Sequence, residues 1–262
     1  DLSVLSARPS NEEMQGIPHR LFGEWDGAVA CSAADWAARA RAVVSEVHAA
    51  GGIPILVGGT GLYLRTLLDG IAPIPPIDPD IRTAVRALPV PIAYARLESE
   101  DPVRAARLDP TDATRIARAL EVVRSTGRTL AEWQKHREGG IGSEVELHPL
   151  VLLPDRAWLY ERCNRRFTAM LARGAITEVE ALLARALDPA LPVMRAIGVP
   201  EIATWLRGDT TQAEAAAAGQ QATRNYAKRQ YTWFRNQSPP DWPRLTTANV
   251  DLAETFATLL QH

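Results

Sequence analysis

The segment running from Ile53 to Tyr63, IPILVGGTGLY, constrains the fold more than any other stretch of this chain. A short apolar run ends in glycines, then a hydroxyl residue, then a helical pattern through Leu68. That order marks a parallel strand buried on both faces, feeding a ligand loop at its C-terminal end. Glycine in such a loop lets the backbone approach a substrate closely. Thr60 is placed to cap the following helix or to touch a ligand. The predicted class is therefore α/β, built on a parallel sheet.

Helix signals flank this segment. Ser32 and Asp35 read as a capping box for a helix that runs to about Ala50 and stops at Gly51 and Gly52. The proline-rich stretch from Ile71 to Ile77 reads as an extended linker. Three Asp-Pro pairs follow, beginning at Asp78, Asp101 and Asp109. Each offers an N-cap with proline at the first helical position. Residues 78–147 are predicted to form an all-helical insert between core segments 1–77 and 148–262. His148 to Leu153 returns to a buried strand pattern. Helices are expected over 156–173, 176–187, 196–207, 211–236 and 251–261, with a short segment from Trp242 to Leu245.

Composition narrows the function. No apolar run approaches the roughly 20 residues that span a bilayer, and no secretory signal is visible. Cys31 and Cys163 are too few for a disulfide framework or a zinc site, and the histidines lack metal-ligand spacing. A cytoplasmic setting is expected. The net charge is −2, yet residues 156–244 carry 13 basic against 8 acidic side chains. A polyanion would dock on such a region.

Four arginine-bearing segments can carry chemistry. Thr114 to Arg118 lies in a helix whose apolar stripe is Ile116, Ala119, Leu120 and Val123, so Arg115 and Arg118 share a face. That face is either solvated or laid against a phosphate backbone. Arg162 and Arg166 are one turn apart, with Phe167, Met170 and Leu171 toward the core. The pair suits a diphosphate, or salt bridges to Asp155 and Glu161. Arg224, Lys228 and Arg235 form a basic stripe, with Tyr226 and Trp233 at core spacing. The stripe is a nucleic-acid surface or the outer face of a core helix. Arg195 precedes a turn at Gly198 that opens a helix, an anion-contact geometry or a loop without a ligand. No Gly-x-Ser-x-Gly elbow and no Gly-x-x-x-x-Gly-Lys-Ser/Thr loop is present.

In order and combination these segments resemble the tRNA dimethylallyltransferase family, the tRNA isopentenyltransferases, over nearly the whole chain. The matching elements are Ala7-Arg8-Pro9, Pro18 to Leu21, Cys31 to Trp36, Gly58 to Tyr63, Arg115 to Val122, Arg162 to Phe167 and Lys228 to Trp233. The resemblance implies a P-loop NTPase-like core with a helical tRNA-binding insert. It implies transfer of a dimethylallyl group from dimethylallyl diphosphate, bound with Mg²⁺, to the N6 amine of the adenine beside the anticodon. That base is flipped from its stack, and no ATP is used. On the same match Arg166 is catalytic and holds the diphosphate with Arg162. Thr60, Arg82, Thr114, Arg115, Ile116, Ala117 and Arg118 contact tRNA, as do Arg195, Ala196, Ile197, Gly198, Val199 and Pro200. The implied partners are the tRNA anticodon stem-loop and dimethylallyl diphosphate, with no membrane, and a monomer is expected.

The sequence departs from the family in two respects. Val199 and Pro200 stand where an aromatic and a basic residue are common. The family's first strand, its phosphate loop, the following helix and the Asp-Ser segment bearing the catalytic base have no match from Asp1 onward. The sequence is therefore expected to be a fragment of a longer product, inactive without that end and with no metal ligand of its own. The alternatives are a non-catalytic RNA-binding fragment and a small-molecule phosphotransferase of the same core fold. A nicotinamide-dependent reductase would need a second fingerprint glycine and an acidic ribose partner, and neither stands out.

Overall fold

The computed structural model describes residues 1–247 and 250–257. The chain divides into two compact units, Asp1–Leu64 with Glu146–His262, and Arg65–Val145. The first opens with α1 (Asn11–Met14) and α2 (Ala33–Ala49), and α3 (Gly61–Asp69) carries the chain into the second. Ser32 caps α2 as expected: its hydroxyl accepts from the Asp35 N–H at 3.1 Å, and the Asp35 carboxylate accepts from the Ser32 N–H at 3.0 Å. The Ser32 hydroxyl also donates to the Asp35 carboxylate at 2.6 Å, and that bond first, then the one from the Ser32 N–H, holds the Asp35 carboxyl below its ordinary value.

The Arg65–Val145 unit is built from α4 (Pro79–Arg86), α5 (Val90–Glu100), α6 (Pro102–Ala105), α7 (Ala113–Thr126) and α8 (Leu130–Trp133). Asp78 caps α4 through the Asp80 N–H at 2.8 Å, and Asp101 caps α6 through the Arg104 N–H at 3.0 Å. The third Asp-Pro pair behaves differently. Asp109 closes a turn on Thr111, and Asp112 caps α7 through the Arg115 N–H at 3.0 Å. Val85, Leu97, Ile116, Ala119 and Leu120 form the core of this unit. Each of the Val, Leu and Ile side chains among them contributes about 1.5–3 kcal/mol of burial. Val122 is buried in a second cluster with Ile77 and Leu130, while Val123 is only half-buried. So α7 is covered on two sides, and the single predicted stripe is too narrow.

Residues 71–77 are not a free linker. Ile71 and Glu138 exchange both backbone hydrogen bonds at 3.0 Å, and Ile141 and Gly142 donate to the Leu67 and Leu68 carbonyls at 2.9 Å. With Ile77 in the second cluster, these ties bind 65–77 to the helices that follow. The division falls after Leu64, not after Ile77.

The other unit resumes with β1 (Val151–Leu152) and α9 (Arg156–Met170), followed by a π-helical turn, Leu171–Ala175. Then come α10 (Ile176–Ala184), a 3₁₀ turn Pro192–Arg195, α11 (Val199–Leu206), α12 (Gln212–Gln237), β2 (Arg244–Leu245) and α13 (Leu252–Thr255). Residues 258–261 of the expected last helix lie outside the described residues. β1 and β2 pair in parallel with Val151 opposite Arg244, and the Leu153 N–H donates to the Leu245 carbonyl at 2.7 Å. The strand expected over 53–57 does not form, and Ile55 and Val57 are 83% and 81% exposed. A strand buried on both faces needs a neighbour at each edge, and none of the described residues supplies one.

Helix α9 packs on α12 through Phe167, which is 2% exposed. The positions that α12 buries are small, namely Ala215, Gly219 and Ala227. A Cβ at Gly219 would lie 2.1 Å from the Phe167 ring, so glycine is what lets the two helices meet.

Candidate active site and RNA-contact residues

The Gly-rich loop sits on α12. The Thr60 hydroxyl lies 3.0 Å from the Tyr226 hydroxyl. A Cβ at Gly59 would fall 2.2 Å from the Gln230 side chain, and one at Gly61 would fall 2.2 Å from the Trp233 ring. Tyr226, Gln230 and Trp233 are successive turns of one helix face. Gly59 and Gly61 therefore make room for α12, while a Cβ at Gly58 would meet nothing within 4 Å. Tyr226 is 37% exposed and bonds the loop instead of filling the core. Sequence reasoning placed Gln230 in the matching run from Lys228 to Trp233 without a role, because its contact depends on a loop far away in the chain.

On α9, Arg162 and Arg166 are both exposed. The acids expected to pair with them are engaged elsewhere. Glu161 pairs with Arg165 at 3.7 Å, and Asp155 caps α9 through the Trp158 N–H at 3.0 Å. The Arg162 guanidinium lies 5.5 Å from the Trp158 ring centroid, a cation–π contact that holds the stem without neutralising the charge. Among the described residues neither Arg162 nor Arg166 has an ion-pair partner. Arg224 reaches across from α12 to the Asn164 and Gln221 side-chain oxygens. Burial pushes the Cys163 thiol up, while Arg166, Arg224 and Arg162 pull it down. Arg166, Arg224 and Arg162 thus act electrostatically on one buried thiol, and guanidiniums are the side chains best suited to a multiply charged anion.

The Arg195 loop is less open than its sequence suggests. Arg195 is exposed and donates to the Ala190 carbonyl. Gly198 opens α11 at φ +99°, yet its N–H donates to Glu201 Oε2 at 2.9 Å. The donor expected to meet an anion is already taken by the helix's own carboxylate. Val199 is 1% exposed and packs in the Val179–Ile202 core. Ile116 has no exposure at all. Neither side chain can reach RNA, because each is spent on the core of its unit. Ala117, Ala196 and Ile197 are half-buried, whereas Thr114 and Pro200 are exposed.

Arg82, Arg115 and Arg118 are exposed on the helical unit. Arg115 pairs with Asp112 at 3.2 Å, and Arg118 lies 3.9 Å from the Glu121 carboxylate.

Against known proteins, the family model described as IPP transferase matches residues 1–237. The chain belongs to the IPP transferase family. The tRNA dimethylallyltransferase of Erythrobacter litoralis is 67% identical over 262 residues, which is 100% of this chain and 83% of that protein. The crystal structure of a tRNA isopentenylpyrophosphate transferase from Bacillus halodurans matches with a TM-score of 0.66 at 30% identity, covering 99% of this chain and 81% of that one. A eukaryotic dimethylallyltransferase captured acting on tRNA shares the fold, with a TM-score of 0.80 at 23% identity, over 99% of this chain and 68% of its own. The fold of this IPP transferase is thus the α/β, P-loop-like one of the tRNA isopentenyltransferases.

In this family member no three His, Cys, Asp or Glu side chains converge on a possible metal position among the described residues. No described helix is long and apolar enough to cross a membrane.

Proposed function

We propose that this chain is a tRNA dimethylallyltransferase. It moves the dimethylallyl group of dimethylallyl diphosphate to the N6 amine of the adenine beside the anticodon, acting in the cytoplasm as a monomer. The observation that carries this reading is the exposed Arg162–Arg166 pair on α9, which lacks any carboxylate partner among the described residues. Two unneutralised guanidiniums one turn apart match a departing diphosphate better than a solvated surface face. The amine nitrogen forms a bond to the allylic carbon as the bond from that carbon to the diphosphate oxygen breaks, and the amine sheds one proton to water. Arg166 and Arg162 neutralise the charge that grows on the leaving group, the kind of interaction that dominates such barriers. Thr60 is supported as an RNA contact by its exposure and by the Tyr226 bond that fixes its hydroxyl.

Transfer of labelled dimethylallyl from the diphosphate to an anticodon stem-loop tests this reading. The natural full-length protein is expected to label a loop carrying the adenine and to leave a loop with inosine at that position unlabelled. Equal labelling of both would contradict it.

A further inference from the structure

One arginine of the basic stripe expected on α12 does not share the exposure of the others. Arg224 is half-buried, whereas Lys228 and Arg235 are exposed. Its Nη1 donates to Asn164 Oδ1 of α9, and its Nη2 donates to Gln221 Oε1, one turn earlier on α12. Both acceptors are neutral amides. A cation drawn partly out of water is costly unless an anion balances it, and no carboxylate pairs with Arg224 among the described residues.

The helix that Arg224 reaches is the one that bears Arg162 and Arg166. Asn164 stands between those two in sequence and is half-buried. A second bridge joins the same helices where Thr168 follows Arg166: Gln220 Nε2 donates to the Thr168 hydroxyl at 3.0 Å. Phe167 meets Gly219 between the two bridges. Polar ties at Asn164 and Thr168 therefore bracket Arg166 and set the rotation of α9 against α12. Burial raises the pKa of the Cys163 thiol, and Arg166, Arg224 and Arg162 each lower it, so three charges act on one place. None of the three has an ion-pair partner among the described residues. Three cations without a carboxylate call for a ligand that carries more than one negative charge.

We propose that Arg224 is a further positioning residue of the leaving-group site: through Asn164 it holds α9, and with it Arg166, while its own uncancelled charge favours the departing diphosphate. The inference rests on the diphosphate role proposed above for Arg162 and Arg166. It removes Arg224 from the RNA-facing stripe that its spacing with Lys228 and Arg235 predicts. The neutral character of Asn164 is the specific feature. An amide oxygen orients the guanidinium and leaves its charge intact, whereas a carboxylate at that position would orient it as well and cancel the charge.

The test uses the full-length protein with an anticodon stem-loop. It reads KM for dimethylallyl diphosphate, the inhibition constant of inorganic pyrophosphate, RNA Kd and the urea midpoint. Asn164→Asp is the sharper variant, because a purely structural tie and a charge role predict different results. It keeps an acceptor for Arg224 and turns the contact into an ion pair, so a structural tie predicts equal or greater stability with unchanged kinetics. The proposal predicts a folded protein whose KM for the diphosphate and inhibition constant for pyrophosphate both rise about tenfold, the scale of one unit charge acting through a protein interior. RNA Kd is expected to stay within about twofold of wild type. Arg224→Gln is expected to raise the same two constants, and Arg224→Lys, which keeps the charge and loses the fork, to recover part of the loss. Unchanged constants in folded Asn164→Asp would overturn the proposal, and that variant decides the matter if Arg224→Gln does not fold. A loss confined to RNA Kd in either variant would overturn it in favour of an RNA-facing Arg224. Wild-type protein that pyrophosphate does not inhibit would defeat the underlying reading of Arg162 and Arg166 instead, an outcome distinct from either.

Discussion

Thr60 and Tyr226 bring their hydroxyls within 3.0 Å of each other across 166 positions of sequence. That bond, with Gly59 and Gly61 beside it, fixes the Gly-rich loop to one face of α12. The loop's geometry is therefore set by helix packing before any substrate arrives.

The two glycines respond differently to the same change. Gly61→Ala puts a methyl 2.2 Å from the Trp233 ring, a rigid neighbour that has to move bodily. A loss of about 1–3 kcal/mol is expected. Gly59→Ala meets the far end of the Gln230 side chain at the same distance, and Gln230 swings away at little cost. Urea denaturation of both variants checks the order, and equal losses would show that the loop does not rest on Trp233.

Gly219→Ala inverts a familiar rule. Within a helix, alanine is favoured over glycine by about 1 kcal/mol. Here its methyl would fall 2.1 Å from the Phe167 ring, so the variant is expected to lose stability. Phe167→Leu in the same chain is expected to return part of that loss, giving a positive coupling in a double-mutant cycle. Additive effects would mean that the two helices do not meet at this point.

Glu178 ties the N-terminal segment to α10. Its carboxylate accepts from the Val4 N–H at 2.8 Å, the Leu5 N–H at 2.9 Å and the Ser3 hydroxyl at 2.9 Å. Burial raises its pKa, but the Leu5, Val4 and Ser3 donors outweigh burial and hold it below the ordinary 4.5. A folded pKa below the unfolded one stabilises the protein above about pH 4.5, and that contribution is lost as pH falls through the lower, folded value. Glu178→Gln is expected to cost about 1–3 kcal/mol at pH 7. The gap between wild type and variant is expected to close as the solution is acidified below 4.5. A gap that holds constant from pH 7 to 3 would remove the charge from the account.

What the sequence made legible was local. The Ser32–Asp35 capping box and the Asp78 and Asp101 caps are written within four residues, and each helix starts where it should. The interruption of one unit by a helical insert was readable from the Asp-Pro run, although its border was misplaced. The pairing of Ile71 with Glu138 and the burial of Ile77 against Val122 and Leu130 show that the proline-rich stretch belongs to the insert. The apolar run 53–57 looked like a buried strand because composition reports what a segment can bury, not whether neighbours are there to bury it. The same limit hid Glu121. On α7 it reads as a surface acid, and its burial depends on Arg86 arriving from α4. At the candidate site the exposed arginines were legible by type and spacing. The loss of Val199 and Ile116 to the cores followed from tertiary packing that no local pattern encodes, whereas the Gly198 N–H goes to Glu201, three residues on, in a local capping contact.

The most direct test of the central claim, that unpaired guanidiniums on α9 receive the departing diphosphate, is the turnover of Arg166→Ala in the full-length protein with saturating anticodon stem-loop. A fall in kcat of about 10²–10³-fold is expected, from losing one preorganised charge at the leaving group, with the RNA Kd within about twofold of wild type. Normal kcat with a large loss of RNA affinity would contradict the account and move Arg166 to the RNA surface.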